Sequence, residues 1–143
     1  MERYTLDFNM PVHIFFIGIG GISMSGLAKV LADRGFHVSG SDNHETELTK
    51  MLEQHGAKVF YGGQKKENIT DDIDVVVYTA AIHPDNPEYV ASVEKKIPMM
   101  TRAELLGELM ENYKSSIAVS GTHGKTTTTS MLSYILMAAN TDP

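Results

Sequence analysis

The sequence predicts an α/β fold built on a parallel sheet with helices on both faces, followed by the opening of a second domain. Three observations carry this. Strand-like and helix-like runs alternate along the chain, the order that produces a parallel sheet. A glycine turn, Gly18-Ile19-Gly20-Gly21, joins the first strand-like run to the first helix-like run. A second glycine loop, Gly121-Thr122-His123-Gly124-Lys125-Thr126-Thr127, comes late, with one more strand-like run before it and one more helix-like run after it.

The elements follow in order. His13 to Ile17 is apolar enough for the first strand, and Met24, Leu27, Ala28 and Leu31 recur at helical spacing before Gly35 closes that helix. Residues 37–40 are a short strand, ended by Ser41-Asp42. Leu48, Met51, Leu52 and His55 mark a second amphipathic helix ending at Gly56. Residues 58–61 are a third strand, and residues 62–68, glycine-rich and then charged, read as loop. Residues 74–78, with three consecutive valines, have the composition of a strand buried on both faces. Asn86-Pro87-Glu88 has the order of a helix start: a capping side chain, proline in the first turn, and an acid at the positive end of the helix dipole. Residues 97–100 are a short strand, and Thr101 with Glu104 has capping-box spacing ahead of Leu106, Leu109, Met110 and Tyr113. Residues 114–116 are a polar joint before a strand at 117–119. Beyond the second loop, Met131, Leu132, Ile135, Leu136 and Ala139 line one helix face.

Composition narrows the function classes. The 143 residues carry a net charge of -6, and basic pairs occur only at Lys65-Lys66 and Lys95-Lys96. That balance argues against nucleic acid as a partner. No apolar run is long enough to cross a bilayer and no signal-like stretch is present, so no membrane role and a cytoplasmic location are expected. The absence of cysteine excludes disulfides and thiolate metal sites. The six histidines show no paired ligand spacing, and no structural metal is expected.

Both glycine loops point to phosphate. In the first, glycines permit a tight turn and close approach of backbone to a pyrophosphate at a helix N-terminus, as in Rossmann-like folds. Ser23 stands where the usual third glycine would be. Asp42, at the end of the second strand, is where such folds place the acid that holds a ribose hydroxyl; the alternative is that it caps the second helix. In the second loop, backbone N–H groups meet phosphates, Lys125 neutralises the terminal ones, and Thr126 can ligate magnesium. This loop is a shortened Gly-x-x-Gly-Lys-Thr, with Val119 where the longer pattern has glycine. His123 is a phosphate contact or a loop-shaping side chain, and His83 beside Pro84 reads as a surface turn. A dehydrogenase needs only the first loop. An ATP-driven enzyme acting on a nucleotide-linked substrate needs both.

The segments 13–21 with 24–28, Val38-Ser39-Gly40-Ser41-Asp42, Asp85-Asn86-Pro87-Glu88 with 102–106, and 121–129 together resemble the Mur ligases of peptidoglycan synthesis. The resemblance covers the chain from about His13. It implies a Rossmann-like domain over residues 1–113 that binds the UDP of UDP-N-acetylmuramate. Gly18, Gly20 and Gly21 would lie at the pyrophosphate and Ser41 and Asp42 near the uridine. Thr79, Ala80, Ala81 and Ile82 would line the same site, with Arg102 as a phosphate contact. Residues 114–143 would open an ATP-binding domain that this chain carries only in part. Residues 121–127 would bind ATP, with Lys125 on the β and γ phosphates and Thr126 on magnesium. The reaction implied is activation of the muramate carboxylate as an acyl phosphate, which the amine of L-alanine attacks. A ligase that recycles murein tripeptide, and a nucleotide-sugar-binding module without activity, are the alternatives. Gly63 stands near where members of the family often carry a substrate-contacting histidine. The apolar stripe after the second loop is expected to seek cover, on the first domain or in a homodimer.

Overall fold

The computed structural model describes residues 4–141. The chain divides into two compact units, Met1–Asn112 and Tyr113–Pro143.

The first unit is a five-stranded sheet in the order β3-β2-β1-β4-β5, with every neighbouring pair parallel. The strands are β1 (His13–Ile17), β2 (His37–Asp42), β3 (Lys58–Tyr61), β4 (Val75–Tyr78) and β5 (Met99–Thr101). The helices are α1 (Ile22–Asp33), α2 (Glu47–Gln54), α3 (Pro87–Glu94) and α4 (Arg102–Glu111). Alternation along β1 sends its side chains into two separate apolar layers. Ile14 and Phe16 join Val38, Val75 and Val77 under Met24, Ala28 and Leu31 of α1, Leu52 of α2, and Leu105 and Leu109 of α4. Phe15 and Ile17 join Val76 under Ala91 of α3, with Ile69, Ile73 and Ile97. Both faces are covered, which is why β1 and β4 read as continuous apolar runs. Each large side chain so buried contributes about 1.5–3 kcal/mol.

Local chemistry sets the helix ends. Thr46 and Thr49 form a reciprocal capping box at α2, and Thr101 and Glu104 form one at α4. Asn86 Oδ1 accepts from the N–H groups of Glu88 and Tyr89 at the start of α3. Ahead of β1 the chain is tied to the end of α4: Leu6 N–H donates to the buried Glu108 carboxylate at 3.0 Å, and Phe8 N–H donates to Asn112 Oδ1 at 3.0 Å.

Several elements differ from the sequence reading, among them β4, which starts at Val75 rather than residue 74. β2 runs through Asp42, because Ser41 and Asp42 pair with Phe60 and Tyr61 of β3. A 3-10 turn, Lys66–Asn68, interrupts the expected loop. β5 starts at Met99 rather than residue 97, since Pro98 has no N–H for a ladder and contributes only its carbonyl, to Val76. Residues 117–119 form no strand. The second unit holds no other strand among its described residues, and a lone extended segment has no ladder partner.

The second unit is one helix, α5 (Lys125–Ala138), with the segment before it. Ile117 and Val119 line a cleft with Leu132 and Leu136, so two of the five residues of the expected stripe have local company. Met131 and Ile135 are exposed, and α5 buries none of its residues. No described helix is long and apolar enough to cross a membrane.

Candidate functional site

β1 and β4 are neighbours whose connections leave the sheet in opposite directions, so a crevice opens at their carboxyl ends, where open α/β sheets bind ligands. The glycine loop occupies that position. Gly18 turns the chain at φ +80°, and the N–H groups of Gly18 and Ile19 both donate to the Ser41 carbonyl at 2.9 Å. α1 then starts with Gly21 as cap, with no side-chain cap and no acid in its first turn. Gly21, Ile22 and Ser23 are exposed. An exposed helix start with no anionic cap presents orphan N–H groups and a positive dipole end to any incoming anion.

Arg102 is brought to the same place across 79 residues. It is the first residue of α4, and its Nη1 donates to Ser23 Oγ at 2.7 Å. Ser23, the departure from the glycine pattern, thus holds the guanidinium at the start of α1. Thr79, Ala80 and Ala81 follow β4 in a turn closed by Ile82 N–H on the Thr79 carbonyl at 3.0 Å, with Ala80 and Ala81 exposed.

Asp42 does not cap α2, whose cap is Thr46. Its Oδ2 accepts from Gly20 N–H at 2.9 Å and its Oδ1 from His44 N–H at 3.3 Å. The Gly20 amide is therefore held inside the protein, and the open amides are those of the first turn of α1. The approach is close enough that a Cβ on Gly20 would stand 2.7 Å from Asp42 Oδ2. Ser41, read from sequence as a ligand contact, is fully buried; its hydroxyl donates to Glu88 Oε2 at 2.6 Å and its carbonyl holds the glycine loop.

Glu88 does more than the sequence discloses. It stands in the first turn of α3 as its position after Asn86-Pro87 predicts, but its carboxyl is completely buried, which no local pattern shows. Asn68 Nδ2 donates to Oε1 at 2.6 Å, and Ser41 and the Lys65 backbone also donate to the group. Burial pushes the carboxyl above the ordinary carboxylate range, and these hydrogen bonds oppose the shift. Nearby, Asn86 Nδ2 donates to Gln64 Oε1, and Gly63 sits at φ +106°.

The second glycine loop precedes α5. Gly124, at φ +77°, is the cap; no side chain caps the helix, and its first turn carries no acid. Lys125 Nζ donates to the Gly121 carbonyl at 2.7 Å, folded back over the loop it belongs to. Thr122, His123, Thr126 and Thr127 are all exposed. An ammonium, adjacent hydroxyls and an uncapped helix start are a donor set that fits a triphosphate and its magnesium. The depression beside it, lined by Lys125, Thr126, Thr129, Ser130, Ser133, Tyr134 and Met137, is one flank of α5.

At the opposite end of β1, the parallel register pairs two histidines that their sequence spacing did not. The rings of His13 and His37 lie 3.9 Å apart, and with Asp72 they place possible metal-ligand atoms within 4.8 Å of one another. Both ring nitrogens of His13 are already engaged, Nδ1 with Asp72 Oδ2 at 2.8 Å and Nε2 with Ser39 Oγ at 2.6 Å. A proton on Nδ1 satisfies both contacts. Hydrogen bonds from Thr70 and then His13 hold the Asp72 carboxyl below its usual range.

Comparison with known proteins gives concordant matches. Residues 13–114 match the Mur ligase family, catalytic domain. The chain is 64% identical over 140 residues to a UDP-N-acetylmuramate–L-alanine ligase of Agathobacter rectalis, covering 98% of this chain and 30% of the relative. It is 63% identical, with the same coverage, to the protein of that name in Lachnospira eligens. Among solved structures, UDP-N-acetylmuramate-alanine ligase of Thermotoga maritima superposes with a TM-score of 0.80 at 36% identity, over 90% of this chain and 30% of that one. A murein peptide ligase of Psychrobacter arcticus superposes with a TM-score of 0.83 at 32% identity, over 90% and 27%. The chain thus spans about three-tenths of the length of the curated relatives it matches.

Proposed function

The chain belongs to the Mur ligase family, and we propose that it carries the UDP-N-acetylmuramate-binding unit and the ATP phosphate loop of a ligase that joins L-alanine to the muramate carboxylate. Residues 1–113 are the UDP-sugar unit in this reading, and residues 114–143 open the ATP-binding one. The supporting observation is the meeting of Arg102 with the open first turn of α1 at the carboxyl end of β1. A cation and an anion-seeking helix start, side by side, suit a diphosphate. A second phosphate loop on a separate unit suits a second, different nucleotide.

The roles follow from the chemistry. Gly18, Gly20 and Gly21 shape the turn, and Arg102 neutralises the pyrophosphate. Asp42 orients the loop through the Gly20 amide, with its remaining acceptor capacity toward the uridine side. Thr79, Ala80 and Ala81 form the facing wall. In the second loop Gly121, Thr122, His123, Gly124 and Thr127 would surround the triphosphate, Lys125 would leave the Gly121 carbonyl for the β and γ phosphates, and Thr126 would hold magnesium. The ion, when bound, would supply charge neutralisation at the phosphates. Phosphoryl transfer to the muramate carboxylate gives an acyl phosphate; attack by the L-alanine amine then expels phosphate. No nucleic acid or membrane partner and a cytoplasmic setting belong to the same reading.

A murein peptide ligase is the second reading, favoured by the TM-score of 0.83. The L-alanine ligase is preferred because relatives of that name reach 64% identity, against 32% for the solved peptide ligase. The test is calorimetric titration with UDP and with uridine. UDP saturating the wild type, and losing about tenfold or more in affinity with Arg102→Ala, supports the reading, since a charged hydrogen bond contributes about 1.5–3 kcal/mol. Equal binding of UDP and uridine contradicts it.

A further inference from the structure

Glu88 offers more than α3 requires of it. Asn86 already caps that helix, so the Glu88 side chain is not needed there, and a carboxyl with no solvent exposure is costly unless every oxygen is served. Its partners converge on one end of the sheet. Ser41 lies at the end of β2, Asn68 in the 3-10 turn after β3, and Glu88 itself after β4. Through the Ser41 carbonyl the connection reaches Gly18 and Ile19, which follow β1. One carboxyl group thus ties together segments leaving four of the five strands at their carboxyl ends.

We infer that Glu88 is a positioning residue: acting through Ser41, it sets the glycine loop in the conformation that presents the first turn of α1 to a diphosphate. The ligand in this inference rests on the UDP-sugar reading above; the linkage from Glu88 to the loop does not. Ser41 is the relay. Its hydroxyl is fixed by the carboxyl and its carbonyl fixes the loop amides, so a loose Ser41 loosens Gly18 and Ile19 together. Glu88→Gln keeps the linkage, since the Ser41 hydroxyl can rotate to accept from the new amide while the amide oxygen accepts from Asn68. Glu88→Leu leaves the Ser41 and Asn68 donors with no acceptor.

The experiment reads the 143-residue chain by hydrogen exchange of individual amides and by calorimetric titration with UDP. Glu88→Leu is expected to speed exchange at Gly18 and Ile19 by about tenfold or more while leaving Val76, in the sheet interior, protected as in wild type. It is expected to raise the Kd for UDP by about tenfold, with Glu88→Gln within about threefold of wild type. Should Glu88→Leu not fold, Ser41→Ala, which removes only the hydroxyl link, is expected to give the same selective loss at Gly18 and Ile19. Loop amides protected as in wild type in folded Glu88→Leu or in Ser41→Ala overturn the inference, as does acceleration spread equally to Val76. Selective loop acceleration in a chain whose wild type binds no UDP upholds the linkage and overturns the UDP-sugar reading.

Discussion

Gly20→Ala is the most informative single perturbation of the first loop. An added Cβ would stand 2.7 Å from Asp42 Oδ2, 2.9 Å from Asp42 Cγ and 3.0 Å from Thr49 Cγ2. Ordinary contact begins near 3.4 Å, so the carboxylate must retreat by about 0.7 Å. Its hydrogen bond from the Gly20 N–H, now 2.9 Å, then passes out of bonding range. Losing a hydrogen bond to a charged group costs about 1.5–3 kcal/mol, and overpacking costs about 1–3 kcal/mol. The two overlap, because the same displacement relieves the clash and breaks the bond, so a loss of about 2 kcal/mol is expected. Urea denaturation reads it directly. Asp42→Ala removes both the bond and the obstructing carboxylate, so adding Gly20→Ala to it should cost less than it does in wild type, only the Thr49 contact remaining, with a coupling energy of about 1–2 kcal/mol in the double-mutant cycle. Strict additivity of the two changes, or a Gly20→Ala chain as stable as wild type, would refute the close-approach argument.

Three further outcomes are expected. Because burial raises the Glu88 carboxyl above its ordinary value of 4.5, the folded form binds its proton more tightly than the unfolded form does. Its contribution is fully present below about pH 4.5 and is lost as pH rises through the folded value. Denaturation midpoints of wild type should therefore fall relative to Glu88→Gln from pH 4.5 upward, and parallel curves would show that no such shift exists. Lys125→Ala should abolish ATP binding and leave UDP binding within about twofold, because the two loops lie on separate units; equal losses for both nucleotides would argue against two sites. The exposed Met131 and Ile135 of α5 should drive a homodimer at high concentration, measured by light scattering against a chain ending at Tyr113; equal monomer masses at all concentrations would remove that proposal.

What the sequence disclosed, and what it withheld, follows from the range of the interactions. β1 and β4 were legible because burial on both faces writes an unbroken apolar run, and the caps at Asn86 and Thr101 because capping is local. The two glycine loops were legible for the same reason. Family resemblance alone points to Arg102 as a phosphate contact; its Ser23 partner lies 79 residues away and no local pattern announces it. The engagement of the Gly20 amide by Asp42, the burial of Glu88 with Ser41 and Asn68, and the stacking of His13 on His37 all depend on strand register, which composition does not encode. Glu88 looked like an ordinary first-turn acid. The one signal available was that Asn86 already supplied the cap. Residues 117–119 failed as a strand for a complementary reason: β propensity describes a segment able to pair, and pairing requires a neighbour.

Titrating the chain with UDP-N-acetylmuramate and with NADH under the same conditions shows whether the α1 start and Arg102 are built for the diphosphate of a UDP-sugar. Saturable one-site binding of UDP-N-acetylmuramate, weakened about tenfold by Arg102→Ala, and no measurable binding of NADH are expected. NADH binding more tightly than UDP-N-acetylmuramate would contradict the UDP-sugar reading.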